Sequence, residues 1–289
     1  MVAAEDGSKL RVLFENVGYK VLAASFPAIT DVPAADVSLD HPLRDPDRWP
    51  RVERNAQRAE AKRALPARFD ELVKEFLDHY PDGLQSEACD AEERNYKVRG
   101  VEYARESLDP AELTKLLEAG GYDEVMKRTR RTLGKVNLAF PQELMKFADV
   151  PADVVPVVAE RVVRLAAADV DSTPTALEHL AAALDPHGAA KWPVVSLIPF
   201  LLRPESAPFV KPTAVQRAAD ATGIDVEYDS MPNAHTYRLV VEMCEHVAEL
   251  LADRGMPARD FIDVQTFLWF ATGMARDMVE QRGDDADPS

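Results

Sequence analysis

In the run Glu92-Glu93-Arg94-Asn95-Tyr96-Lys97-Val98-Arg99, acids and a lysine stand together in a way that invites a nuclease reading. Metal-dependent nucleases set carboxylates and a lysine around an ion that polarises the phosphoryl group and activates water. The usual arrangement places the acid two residues before the lysine on a strand, where alternate side chains share a face. Here Glu93 precedes Lys97 by four residues, the spacing of an ion pair along one helix face. The expected role is structural, and a divergent metal-dependent nuclease or hydrolase built on Glu92, Glu93 and Lys97 is the alternative.

Other polar groups belong beside this pair. Asp260, Asp263 and Gln265 open the last helix, where acids favour the positive end of the helix dipole. Lys211 precedes Pro212, a residue suited to the first turn of a helix. Its amine is expected to meet Asp260 or Asp263. Glu93, Lys97, Lys211, Asp260, Asp263 and Gln265 thus form a candidate polar cluster. Glu242 and His246 share a helix face as an exposed pair, and Asp169 and Asp171 beside Ser172 read as capping groups.

Recognisable catalytic signatures are missing. The chain has no GxGxxG, HExxH or GxSxG, and Gly134-Lys135 runs into Val136 where a phosphate loop requires Ser or Thr. No histidine pair has metal-ligand spacing, so no metal and no cofactor is expected. The densest cations are Lys127, Arg128, Arg130, Arg131 and Lys135. Clustered at a helix end, they could neutralise phosphates, although basic residues also favour a helix C-terminus for its dipole alone.

The elements that must position these groups are mostly helical. Leu10–Phe14 and Tyr19–Leu22 are β-rich runs around a Gly18-bearing turn, which predicts an N-terminal hairpin. Prolines at 27, 33, 42, 46 and 50 mark a linker. Apolar periodicity then predicts helices over 51–65 (stopped at Pro66), 70–80, 91–107, 110–119, 122–133 and 141–148. A second series follows over 156–168, 175–184, 192–202, 213–222, 234–254 and 260–280. The fold class is mainly α, a helical core with a short N-terminal β-hairpin. The segments read as 1–33 hairpin, 34–66 linker and charged helix, 67–150 helical region, 151–281 helical C-terminal region and 282–289 acidic tail. Trp192, Phe200, Val240, Val247, Phe267 and Trp269 are expected in one core, with Trp269→Ala costing about 3–5 kcal/mol.

Bulk properties narrow the function classes. The 289 residues carry 50 acids against 34 Lys and Arg, a net charge of -16, which argues against a surface that coats nucleic acid everywhere. Two distant cysteines, Cys89 and Cys244, are no disulfide framework and fit a reducing compartment. With no signal-peptide pattern and no long apolar run, the expected location is cytoplasmic, away from the membrane.

Two resemblances add to this. Trp192-Pro193, Pro199-Phe200-Leu201, Phe209-Val210-Lys211-Pro212-Thr213, Arg217-Ala218-Ala219, Pro232-Asn233 and Arg259 through Trp269 together resemble a family of bacterial proteins of unassigned activity. That family carries a counterpart of Glu93-Arg94-Asn95-Tyr96-Lys97 upstream. Val12-Leu13-Phe14, Gly18, Lys20 and Leu22 are similar to the last two strands of SH3-like or Tudor-like modules attached to nucleic-acid enzymes. The resulting expectation is a non-catalytic accessory or interaction protein with a protein partner, associated with nucleic acid through the Lys127–Lys135 cluster.

Overall fold

The computed structural model describes residues 2–6, 9–14, 18–23 and 49–275. The linker expected over 27–50 lies almost wholly outside them, as does the 282–289 tail. The chain divides into two compact units: residues up to Arg68 with Thr222–Ile224, and Phe69–Ala221 with Asp225 onward.

In the first unit the expected hairpin is present. Strand β2 (Lys9–Phe14) pairs antiparallel with β3 (Gly18–Ala23), Leu13 opposite Tyr19 and Leu10 opposite Leu22. A further strand, β1 (Val2–Asp6), pairs with β2 and completes a sheet of order β1-β2-β3. Its Val-Ala-Ala-Glu-Asp sequence carries little strand propensity, so the pairing rests on the backbone ladder and gave no periodic signal. A hairpin alone is marginal in water. This one places Leu13 against Val52 and Trp49 of helix α1 (Trp49–His79).

Helix α1 runs through Pro66, where the sequence predicts a stop. An interior proline removes a hydrogen bond and costs about 3 kcal/mol. Leu65 and Phe69, on either side, are fully buried, and their anchoring offsets that loss.

The second unit is helical throughout. From the end of α1 it continues through α2 (Glu87–Cys89), a π-helical turn (Asp90–Arg94) and α3 (Asn95–Ser107). Then come α4 (Pro110–Glu118), α5 (Tyr122–Leu133) and α6 (Pro141–Ala148). The stretch Val150–Pro156, read as a boundary, leads into α7 (Val155–Ala167) and α8 (Thr173–Leu184). The series closes with α9 (Trp192–Leu202), α10 (Pro212–Thr222), α11 (Ala234–Ala252) and α12 (Phe261–Ala271).

Helix α9 is the axis of this unit, for every residue from Trp192 to Leu202 is buried. A helix apolar on all sides has no face to offer water, and α9 packs against α3, α5, α6, α7 and α8. Pro193 occupies its first turn, and Pro199 sits within it without ending it. A second cluster packs Phe267 at a tilt against Phe69 and Phe76, ring centroids 5.3 and 5.4 Å apart.

Helix ends follow local chemistry. Asp109 accepts hydrogen bonds from Ala111 and Glu112 at the start of α4, and Asn233 accepts one from Thr236 at the start of α11. Gly223 takes φ +68° just after α10, the left-handed geometry that ends a helix. Helix α12 ends at Ala271, where Gly273 adopts φ +72°, and residues 276–280 of the helix expected over 260–280 lie outside the described residues. Among the described residues no helix is long and apolar enough to cross a membrane.

Of the expected core, Trp192, Phe200, Val240, Val247 and Phe267 are buried. Trp269 is partly exposed: on α12 it lies two positions beyond Phe267, about 200° around the helix.

Candidate functional site

Asp260 and Asp263 stand at the start of α12, as expected. The Asp260 carboxylate caps the helix, accepting from the backbone N–H of Ile262 and Asp263. What the two acids meet differs from expectation. Arg94, on the π turn, donates from Nη1 to Asp260 Oδ1 at 2.8 Å and to Asp263 Oδ1 at 2.7 Å. Its Nη2 donates to Asp260 Oδ2 at 2.6 Å. Arg259 grips the other side of Asp263, with Nε to Oδ2 at 2.8 Å and Nη2 to Oδ1 at 3.1 Å. The same guanidinium then takes Asp90 through Nη2 at 2.6 Å and Nη1 at 3.0 Å.

The result is a chain of alternating charges, Asp260–Arg94–Asp263–Arg259–Asp90, linking the π turn to α12. Asp263 is 2 % exposed, and forked Arg–carboxylate bonds compensate its burial where a single ammonium could not. Arg259 holds the Asp90 carboxyl below the usual carboxylate range. The wider π turn adds a residue to the helix and resets the side chains before it against those after it. Such insertions cluster at functional positions; here the turn carries both Asp90 and Arg94.

Lys97 lies one turn on, 2 % exposed. Its Nζ donates to Glu93 Oε2 at 3.0 Å and to Thr266 Oγ1 at 3.2 Å. The four-residue spacing therefore makes the ion pair that it implies. Burial pulls the Lys97 pKa down, against the opposing pull of Glu93. Glu92 accepts from the Tyr80 hydroxyl at 3.0 Å. The nearby Cys89 thiol is pushed up to about 11, first by burial, and is protonated at neutral pH. Each acid in this run thus has a hydrogen-bond partner from the protein.

Lys211 does not join the cluster. It makes no ion pair with Asp260 or Asp263, both of which are held by arginines. Its Nζ lies 4.7 Å from the Phe140 ring centre and 5.6 Å from that of Trp269, a cation–π placement. Burial lowers its pKa. Lys211, Gln265 and Trp269 line a narrow apolar crevice with Val240, Met243 and Phe261, of about 30 Å³, where roughly 10–15 Å³ admits one water. Gln265 Oε1 is buried there and takes no hydrogen bond from the protein. The six expected residues therefore separate into two places: Glu93, Lys97, Asp260 and Asp263 in the ionic chain and its border, and Lys211 with Gln265 at the crevice.

The α5 cations divide as well. The helix buries Val125, Met126, Thr129, Thr132 and Leu133, so the residues between them face outward. Glu124 pairs with Arg128 at 3.1 Å and with Lys127 at 3.8 Å. Lys135 sits 4.5 Å above the Tyr103 ring. Arg130 and Arg131 are exposed, and neither makes an ion pair with the described residues. Among the described residues no group of three His, Cys, Asp or Glu is placed to hold a metal. His246 meets Glu249 through Nδ1 at 3.2 Å.

Sequence reading missed Arg94 and Arg259 as the partners of the α12 acids, and Asp90 as the further carboxylate that Arg259 holds. The signal was present: Arg94 lies inside the Glu93–Lys97 motif, and Arg259 directly precedes Asp260. No protein-family model, curated protein or solved structure matches this chain.

Proposed function

We propose that this chain is a non-catalytic interaction protein that works beside a nucleic-acid enzyme and touches nucleic acid through the outward face of α5. The observation that carries the reading is the contrast between two sets of charges. The acids and cations of the α12 cluster close on one another, which suits a scaffold that ties helices together. Catalysis instead calls for a general base or acid facing a cleft. Arg130 and Arg131 face solvent, with Lys127 and Lys135 exposed on the same helix end. The likeness of the β2–β3 hairpin to SH3-like or Tudor-like modules gives the same direction.

Fluorescence anisotropy on labelled duplex and single strand, at low salt, tests this. Wild type should bind, and R130E/R131E should lose binding with unchanged helicity, since arginine and glutamate are both good helix formers. Absence of wild-type binding at low salt removes the reading.

A further inference from the structure

We infer that the groove between α7 and α8 is a binding site for a phosphate monoester. Arg161, Arg164 and Ala168 line one wall, and Ser172, Thr175, Ala176 and His179 line the other, around about 250 Å³. Residues three and four apart on a helix share a face, so the two rows run along the groove. One row presents two guanidiniums and the other two hydroxyls and an imidazole.

Charge makes this groove unusual for the molecule. In a chain of net charge -16, none of the residues lining it is acidic. Among the described residues, neither Arg161 nor Arg164 makes a hydrogen bond or ion pair, in contrast to Arg94, Arg105, Arg203 and Arg259. A further arginine, Arg238 of α11, reaches the rim and donates to Thr175 Oγ1 at 3.4 Å. Cations gathered without a counter-charge repel one another, and an anion in the groove removes that cost.

Geometry also says where the anion sits. The start of α8 is already taken, because the Asp169 carboxylate accepts from the Ser172 N–H and hydroxyl. The open positive stretch lies further along, by Arg161, Arg164 and His179. Guanidiniums match phosphate oxygens in a fork, and the Thr175 hydroxyl, which accepts from Arg238 and keeps its own O–H free, supplies a single donor. Ala168 and Ala176, one on each wall, give the groove an apolar surface for the organic part of the ester. This inference does not depend on the α5 reading.

Calorimetric titration with a nucleoside 5′-monophosphate, the matching nucleoside and inorganic phosphate tests it. The monophosphate should bind one site and the nucleoside should not. R161Q/R164Q, which keeps most of each aliphatic stem, should weaken binding at least about tenfold, the loss of a charge-assisted hydrogen bond or more. Circular dichroism checks that the variant is folded, and R164Q alone should give an intermediate loss. Two strands, 5′-phosphorylated and 5′-hydroxyl, added to R130E/R131E identify the source of the ester. Preference for the phosphorylated strand assigns it to a strand end, and equal weak binding of both, with the mononucleotide bound, assigns it to a free nucleotide. A wild type that ignores the monophosphate at millimolar concentration overturns the site. So does one that binds the nucleoside equally well, or a folded double variant with unchanged affinity.

Discussion

Arg259 and Asp263 meet side-on across the first turn of α12, Nε to Oδ2 at 2.8 Å and Nη2 to Oδ1 at 3.1 Å. Asp263 also accepts from Arg94 at 2.7 Å, so one buried carboxylate is shared by two arginines. Removing it leaves both guanidiniums without their common partner in a largely enclosed place. Asp263→Ala should therefore cost about 3–5 kcal/mol in urea unfolding, the penalty for breaking a buried ion pair from one side. A loss below about 1 kcal/mol would mean that the chain of charges is ornamental to the fold.

Acid should loosen the same chain from its other end. Asp90 is held below the ordinary aspartate range, chiefly by hydrogen bonds from Arg259. A carboxyl with a depressed folded pKa stabilises above its unfolded value, and that contribution is lost as pH falls through the folded one. Wild type should lose stability as pH drops below about 4, and Asp90→Asn should show a shallower fall over that window. Parallel stability curves for the two proteins would contradict the pairing.

The aromatic residues of α12 should separate by depth. Phe267 is fully buried between Phe69 and Phe76, and Phe267→Ala should cost about 3–5 kcal/mol. Trp269, facing Lys211 at the crevice, should cost less on the same truncation, because part of its ring already meets water. Equilibrium unfolding of both variants checks the order, and an equal or larger loss at Trp269 would reverse it.

What the sequence made legible follows from the range of each interaction. The α5 and α6 bounds and the Glu93–Lys97 pair rest on neighbours within a turn, and periodicity with spacing carries them. The fully apolar α9 announced itself as buried by composition. Strand β1 rests on backbone pairing with its neighbour β2, and the passage of α1 through Pro66 on the burial of Leu65 and Phe69; both outweigh weak local propensity. The Arg94–Asp260 contact spans 166 positions, beyond the reach of spacing, and the groove of Arg161 and His179 depends on how α7 packs on α8. Lys211 was expected beside an acid from charge alone. The arginines, with forks suited to carboxylates, hold that place, and the lysine amine lies over the rings of Phe140 and Trp269.

The central claim concerns Arg130, Arg131 and Lys135, and the salt dependence of binding tests it most directly. Each phosphate neutralised on duplex DNA contributes about 0.9 to the slope of log K against log salt. Three such contacts give a slope of roughly -3 for the wild type, and R130E/R131E should bring it to about -1 or abolish binding. A wild-type slope near zero, or the same slope in the variant, would contradict a nucleic-acid contact through α5.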